Sequence, residues 1–177
     1  MGENSCLLIN TIAPVYVLFY QIQSRHETII EGVSKDHNLT SYKSILDVGC
    51  GTGALCSVLN AKGLEVTGID PADNMLWIAR NRPENGAISF IKANVLERLP
   101  FENKSFEISI ASYVAHGLQK DERKMMYAEM GRVTKHRVII YDYNQKRALL
   151  TSLIEWLEHG DYFHFIKEAK DEMEKCF

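Results

Sequence analysis

The chain has few cysteines and no CxxC pair. Cys6, Cys50, Cys56 and Cys176 are scattered, and none has a histidine at metal-ligand spacing. That pattern excludes a zinc ribbon or a disulfide framework; it predicts reduced, mostly buried thiols, no metal site and a cytoplasmic protein. An excess of one charge is also missing. The formal net charge is −3, and the basic runs are as short as Lys135-His136-Arg137 and Lys146-Arg147, which argues against a nucleic-acid partner. Long hydrophobic runs are missing too. The most apolar stretch, CLLINTIAPVYVLFY, is broken by Asn10, Thr11 and Pro14, follows Glu3 and has no opening Lys or Arg. It predicts neither a signal peptide nor a membrane span, but a helix with a wide apolar face. There is no internal repeat.

What is present is one domain's worth of chain, 177 residues at 46% hydrophobic composition, enough for a substantial core. From Lys43 onward short β-type runs alternate with helical periodicity. Strands are predicted over 44–49 (SILDVG), 64–70 (LEVTGID), 87–93 (AISFIKA), 106–112 (FEISIAS) and 137–143 (RVIIYDY). Helices are predicted from Gly53 to Lys62, from Pro71 to about Arg82, from about Lys120 to Arg132, and through a tail carrying Leu149, Leu150, Leu153, Ile154 and Leu157 on one face. Such alternation makes an α/β, Rossmann-like doubly wound sheet, mainly parallel, whose ligands sit outside the carboxyl ends of the strands. The strand ends that rim this cleft are the loop after Val48, Asp70, Asn94, Ser112-Tyr113 and Tyr141-Asp142-Tyr143.

The loop is the most informative segment. In ILDVGCGTGALC, Gly49, Gly51 and Gly53 alternate with Cys50 and Thr52 between a strand and a helix. Bare backbone there lets a ligand approach closely, and the helix start adds N–H donors. The run GCGTGA satisfies the dinucleotide pattern GxGxxA, and Asp70 stands about 20 residues on, where an acidic side chain grips a ribose diol. Asp47 argues against a pyrophosphate. At an effective dielectric of about 20, like charges about 4 Å apart repel by roughly 4 kcal/mol. A ligand that brings an ammonium group to Asp47 and a ribose to Asp70 fits better, and S-adenosylmethionine is such a ligand. Asp70 also has a second reading, as a helix cap before Pro71, and the two roles are compatible.

ILDVGCGTG, GIDPADNML and FIKANVLERLPFENKSFEISIASYVAHGL, in that order, resemble the class I S-adenosylmethionine-dependent methyltransferases, specifically the small-molecule branch with the ubiquinone- and menaquinone-biosynthesis enzymes. The resemblance covers about residues 40 to 145. It implies strand order 3-2-1-4-5 and S-adenosylmethionine as cofactor, released as S-adenosylhomocysteine. It also implies transfer of the sulfonium methyl to an O, N or C nucleophile of a small-molecule acceptor. Carried over to this chain, Gly49, Cys50, Gly51 and Gly53 lie along the methionine part, Asp47 supports its amino end, and Asp70 accepts the ribose hydroxyls. Pro71, Met75, Val95 and Ser112 complete the cofactor site, and Asn94 stands where the family usually has Asp at the adenine edge. Asn94 also reads as a turn residue. Glu107 likewise replaces a common Asp, in a structural position.

His116 follows the fourth strand and reads either as a general base at the acceptor or as a packing residue. Asp142 reads as an acceptor contact or a helix cap. Tyr113, Tyr141, Tyr143 and Tyr20 are candidate acceptor-pocket walls, Tyr16 a candidate cofactor contact, and Trp77 a core or part-core residue. The resemblance divides the single domain into an N-terminal helical lid (1–42), a cofactor-binding core (43–145) and a C-terminal helical segment (146–177). No strand-type run follows residue 143, so the family's closing antiparallel hairpin is expected to be absent. The bare fifth-strand edge then predicts weak self-association. Two other classes compete: an inactive S-adenosylmethionine-binding module and a NAD-dependent oxidoreductase.

Overall fold

The computed structural model describes residues 39–142 together with Glu172 and Met173. Among these residues, five parallel strands form one sheet in the order β3-β2-β1-β4-β5. The strands are β1 (Ser44–Val48), β2 (Glu65–Asp70), β3 (Ser89–Lys92), β4 (Phe106–Ser112) and β5 (Thr134–Tyr141). Helices α1 (Ala54–Ala61), α2 (Asp73–Arg80) and α3 (Lys120–Val133) connect them, with short 3-10 turns at Pro83–Asn85 and Ala115–Gly117. The expected order is therefore borne out. Chain direction across the sheet reverses between β1 and β4, so the crevice opens beside the carboxyl end of β1.

Alternation along the strands divides the core in two. Ile45, Val66, Ile108, Ile110 and Ile139 face α1 and α2, where they meet Leu55, Leu59, Leu76 and Phe90. Leu46, Val48, Ile69 and Ala111 face α3, where they meet Met126, Tyr127, Met130 and Val133. Asp47 shares its face with Ile45 and so points toward α1. Its burial follows from its place on the central strand, with Gly68 of β2 on one side and Ile110 of β4 on the other. Gly68 has a packing reason: a Cβ there would stand 2.9 Å from Cys50 Sγ and 3.0 Å from Cys56 Sγ. Helix α3 opens with a capping box between Gln119 and Glu122.

Several boundaries differ from the sequence expectation. Pro71 does not open α2; the helix starts at Asp73, because Ala72 is extended and gives its N–H to Asp70 Oδ1 at 2.8 Å. Strand β5 begins at Thr134, directly after α3. The buried Thr134 hydroxyl donates to Ser109 Oγ at 2.8 Å, and a register irregularity between Phe106 and Ile108 absorbs the offset. Trp77 is 66% exposed, since α2 turns Met75, Leu76 and Ala79 inward instead. Glu107 is structural as expected: its carboxylate accepts Lys43 N–H at 2.7 Å, and its own N–H donates to Ser44 Oγ.

Glu172 and Met173 are helical and pack beside α3. Arg123, fully buried, makes a two-pronged pair with Glu172 at 2.8 and 3.0 Å. Met173 packs among the apolar residues on that face. The lid (1–38 of its expected span), Tyr16, Tyr20, Tyr143, the apolar run of the tail and the question of a closing hairpin lie outside the described residues. No helix among the described residues is long and apolar enough to cross a membrane.

Candidate cofactor site

The glycine loop turns back on the sheet by hydrogen-bonding to it. Gly49 and Cys50 both donate backbone N–H to Ile69 O, at 2.8 and 3.0 Å, so the loop follows the end of β2 as well as β1. Gly49, Gly51 and Gly53 take φ of 70, 52 and 77°, the left-handed region that favours glycine. At two of them space also forbids a side chain. A Cβ on Gly49 would lie 2.5 Å from Val114 Cγ2, and one on Gly53 would lie 2.9 Å from both Asn85 Nδ2 and Phe90 Cζ. Nothing stands within 4 Å of a Cβ on Gly51, the open position of the three.

Two carboxylates meet under this loop. Asp70 is 8% exposed; Oδ2 accepts Gly51 N–H at 2.9 Å and Oδ1 accepts Ala72 N–H at 2.8 Å. A carboxylate has about four acceptor positions, so each oxygen keeps one for a ligand hydroxyl. Burial raises the Asp70 carboxyl above its usual range, and the two N–H bonds work against that rise. Asp47 is 1% exposed and accepts a hydrogen bond from Cys56 Sγ at 3.1 Å. Burial, against the relief of the Cys56 bond and helped by the Asp70 charge, lifts it from 3.8 to about 7. Cys56 itself is held well above its ordinary value by burial, then by the Cys50 thiol and the Asp47 charge, so it stays a protonated donor. Both thiols are free and buried, as expected. Among the described residues no Lys, Arg or His forms an ion pair with Asp47 or Asp70.

The remaining candidates fall around the same end of the sheet. Met75 is 2% exposed and packs with Ala72 and Ile78. Val95 is buried on the α3 face of the sheet. Asn94 uses Oδ1 to accept Leu96 N–H at 3.1 Å, a turn contact that leaves its amide nitrogen out of that bond. Ser112 Oγ is buried and has no hydrogen-bond partner among the described residues. Tyr113 has φ 57° and gives its N–H to Tyr141 O at 2.8 Å, and the two rings meet edge to face at 5.7 Å. His116 is joined to Asp142 twice: Nδ1 lies 2.8 Å from Oδ1, and the backbone N–H donates to Oδ2 at 3.2 Å.

Sequence reasoning did not foresee three of these links: Cys56 with Asp47, Val114 against Gly49, and His116 with Asp142. Only the last left a trace, an acid near the end of a predicted strand. Among the described residues no group of acidic, His and Cys side chains is arranged to hold a metal ion.

A buried acid beside a glycine turn, a second acid at the end of the neighbouring strand, and this sheet order together define a nucleoside-binding Rossmann-like domain. Residues 45–137 match the family model described as a methyltransferase domain, more than half of the chain, and the chain belongs to that family. It is 32% identical over 111 residues to a ubiquinone biosynthesis O-methyltransferase of Methylocella silvestris, spanning 60% of this chain and 43% of that protein. It is 35% identical over 98 residues to a demethylmenaquinone methyltransferase of Thermotoga maritima, spanning 54% and 40%. A crystal structure of a protein from Pyrococcus horikoshii superposes with a TM-score of 0.66 at 29% identity, covering 76% of this chain and 59% of that one. The chain thus spans less than half the length of the two named enzymes. The resemblance read from the motifs is borne out at the level of the family.

Proposed function

We propose that this domain binds S-adenosylmethionine and transfers its methyl group to an O, N or C nucleophile of a small molecule. One observation carries the reading: two buried carboxylates under the loop with no cationic side chain paired to either among the described residues. Burying like charges together is costly unless a ligand brings the opposite charge. An amino-acid ammonium near Asp47 and a ribose diol on Asp70 answer both needs, whereas a dinucleotide pyrophosphate would add two more negative charges. The residues present fit the cofactor: Gly51 leaves room above the loop, and Ser112 Oγ is a buried hydroxyl in need of a partner.

Bound there, the cofactor would supply an electrophilic methyl on a positively charged sulfur. The chain's part is to hold the amino end at Asp47, the ribose at Asp70 and the acceptor beyond Ser112 and Tyr113. Holding reactants aligned and away from water can account for about 7–11 kcal/mol of a barrier. Calorimetry with S-adenosylmethionine, S-adenosylhomocysteine and NAD tests the reading. Binding of both methyl-donor species and no response to NAD is expected. The reverse pattern overturns it, and binding without turnover on any acceptor would reduce the domain to a cofactor-binding module.

A further inference from the structure

Two free thiols sit together beneath the cofactor loop. A Cβ on Gly68 would stand 2.9 Å from Cys50 Sγ and 3.0 Å from Cys56 Sγ, so both sulfurs converge on one point of the sheet. They come from different elements, Cys50 from the loop and Cys56 from the first turn of α1, with Gly51 and Gly53 between them. The two are not equivalent. Cys56 is fully buried and gives its S–H to Asp47 Oδ2 at 3.1 Å, whereas Cys50 keeps 8% exposure and only a long contact to Gly51 O at 3.9 Å. Contact with Cys56 works to lower the Cys50 thiol, but burial and the Asp47 and Asp70 charges leave it raised on balance. Cys56 is held well above its ordinary value, chiefly by burial. Cys50 is therefore the first of the two to ionise, and the thiolate is the form that reacts. A small reagent can approach from the ligand side, because a Cβ on neighbouring Gly51 would meet nothing within 4 Å.

We propose that Cys50 and Cys56 form a reversible disulfide under a peroxide-class oxidant, and that this bond switches cofactor binding off. The second half rests on the cofactor reading above. The Cys50 sulfur attacks one oxygen of hydrogen peroxide, the O–O bond breaks, the other oxygen leaves as water, and Cys50 becomes a sulfenic acid. The Cys56 sulfur then attacks the Cys50 sulfur, the S–O bond breaks, and that oxygen leaves as a second water with the Cys56 proton. Two thiols lose two electrons and two protons, and the peroxide becomes two waters. A thiol reductant reverses the step by exchange.

The bond reaches the cofactor site through Asp47. Closing the sulfurs to about 2.05 Å draws the loop toward α1. It also removes the donor that Asp47 now has, since a disulfide sulfur has no hydrogen to give. The titratable groups about Asp47 are Asp70 at the end of β2, Cys50 in the loop and Cys56 on α1, and none of them brings a positive charge. Burial lifts Asp47 to about 7, and the Cys56 bond works against that rise. Without the bond the carboxyl moves higher still and takes up a proton at neutral pH. A protonated Asp47 offers no charge to an incoming ammonium, so the oxidised loop holds the cofactor less well.

The experiment treats the full chain with hydrogen peroxide, with and without S-adenosylhomocysteine. Trypsin cuts after Lys43 and Lys62 and has no site between them, so both cysteines leave in one peptide, 44–62. An internal bond appears as the loss of two hydrogens from that peptide and as refusal of iodoacetamide after unfolding, which a bond to Cys6 or Cys176 cannot mimic. The bond is expected to form in the empty protein and to form more slowly with S-adenosylhomocysteine bound. By calorimetry at pH 7 the oxidised protein should bind that ligand at least about fivefold more weakly, the fall expected when the ionised share of Asp47 drops from half to below a tenth. Dithiothreitol should restore the affinity. Cys50→Ser should make the affinity, whatever its starting value, insensitive to peroxide. Cys56→Ser keeps a hydroxyl for Asp47 and checks the same point should the first variant fail to fold. A folded protein whose 44–62 peptide keeps both thiols open to alkylation, a bond that leaves affinity unchanged, or a peroxide effect that persists in a serine variant each overturns the proposal. A reduced protein that binds no S-adenosylhomocysteine removes the cofactor reading instead, and the peptide map still tests the bond.

Discussion

Asp47 lies fully buried with its carboxyl lifted from 3.8 to about 7, and this has a price that depends on pH. A rise of about three units at 1.36 kcal/mol each amounts to roughly 4 kcal/mol. The sign follows from proton counting. A carboxyl whose folded value is raised holds its proton longer in the folded state. Its burial is therefore harmless below the ordinary carboxylate range, becomes costly as pH climbs from about 4 toward 7, and costs a constant amount above that. A ligand ammonium placed beside Asp47 reverses the shift, so binding releases a proton when the empty site is protonated. About 0.9 proton should leave per ligand at pH 6 and about 0.1 at pH 8, with affinity falling up to tenfold per unit below about pH 7. Calorimetry of S-adenosylhomocysteine in buffers of different ionisation enthalpy measures this directly. Asp47→Asn keeps the shape and an acceptor for Cys56 and removes the charge. It should stabilise the empty protein at pH 8 by about 1–2 kcal/mol while weakening the ligand, a trade of function against stability. If no proton is released at pH 6 and Asp47→Asn lowers the melting temperature at pH 8, the account of this site is wrong.

Asp70→Ala should weaken cofactor binding by about 1.5–3 kcal/mol, the range for hydrogen bonds to a charged group, as read by calorimetry. Gly49→Ala combines left-handed φ with a 2.5 Å approach to Val114, so it should lower the melting temperature clearly. Gly49→Ala with Val114→Ala should recover part of the loss, and a neutral single variant would mean that Val114 moves freely. Arg123→Met leaves the buried carboxylate of Glu172 with Lys120, 3.9 Å away, in place of its two close hydrogen bonds, and should cost up to about 3–5 kcal/mol in chemical denaturation. Adding Glu172→Gln should return most of that, and additive losses in the pair would show that the two side chains are not coupled.

The architecture was legible because its signals are local. Strand runs alternate with helical periods, and glycine spacing marks the one turn that needs left-handed backbone three times. The limits of those signals were physical as well. Pro71 reads as a helix start, yet Asp70 takes the Ala72 N–H and delays the helix to Asp73. The start of β5 was missed because KH precedes the apolar run, while Thr134 is pinned from across the sheet by Ser109. Trp77 reads as core by residue type, and only the phase of α2 shows that it faces outward. Likewise the His116–Asp142 link joins residues 26 apart, a separation that no periodicity encodes.

The residues beneath the loop explain one another once Asp47 is given its ligand. A cation at position 56 would neutralise Asp47 permanently and leave nothing for an incoming ammonium to gain. A hydrocarbon there would leave the acid with no donor at all and make the empty protein harder to fold. A thiol held in its protonated state lies between these: it donates weakly, carries no charge and fits beneath the strand. Two such sulfurs, from Cys50 and Cys56, need the space where β2 would otherwise carry a side chain, and Gly68 supplies it. The bare position in the middle of a buried strand, two uncharged thiols and an acid with a raised pKa thus form a single arrangement. It keeps a negative charge available for a ligand, at a cost in stability that the rest of the core must cover.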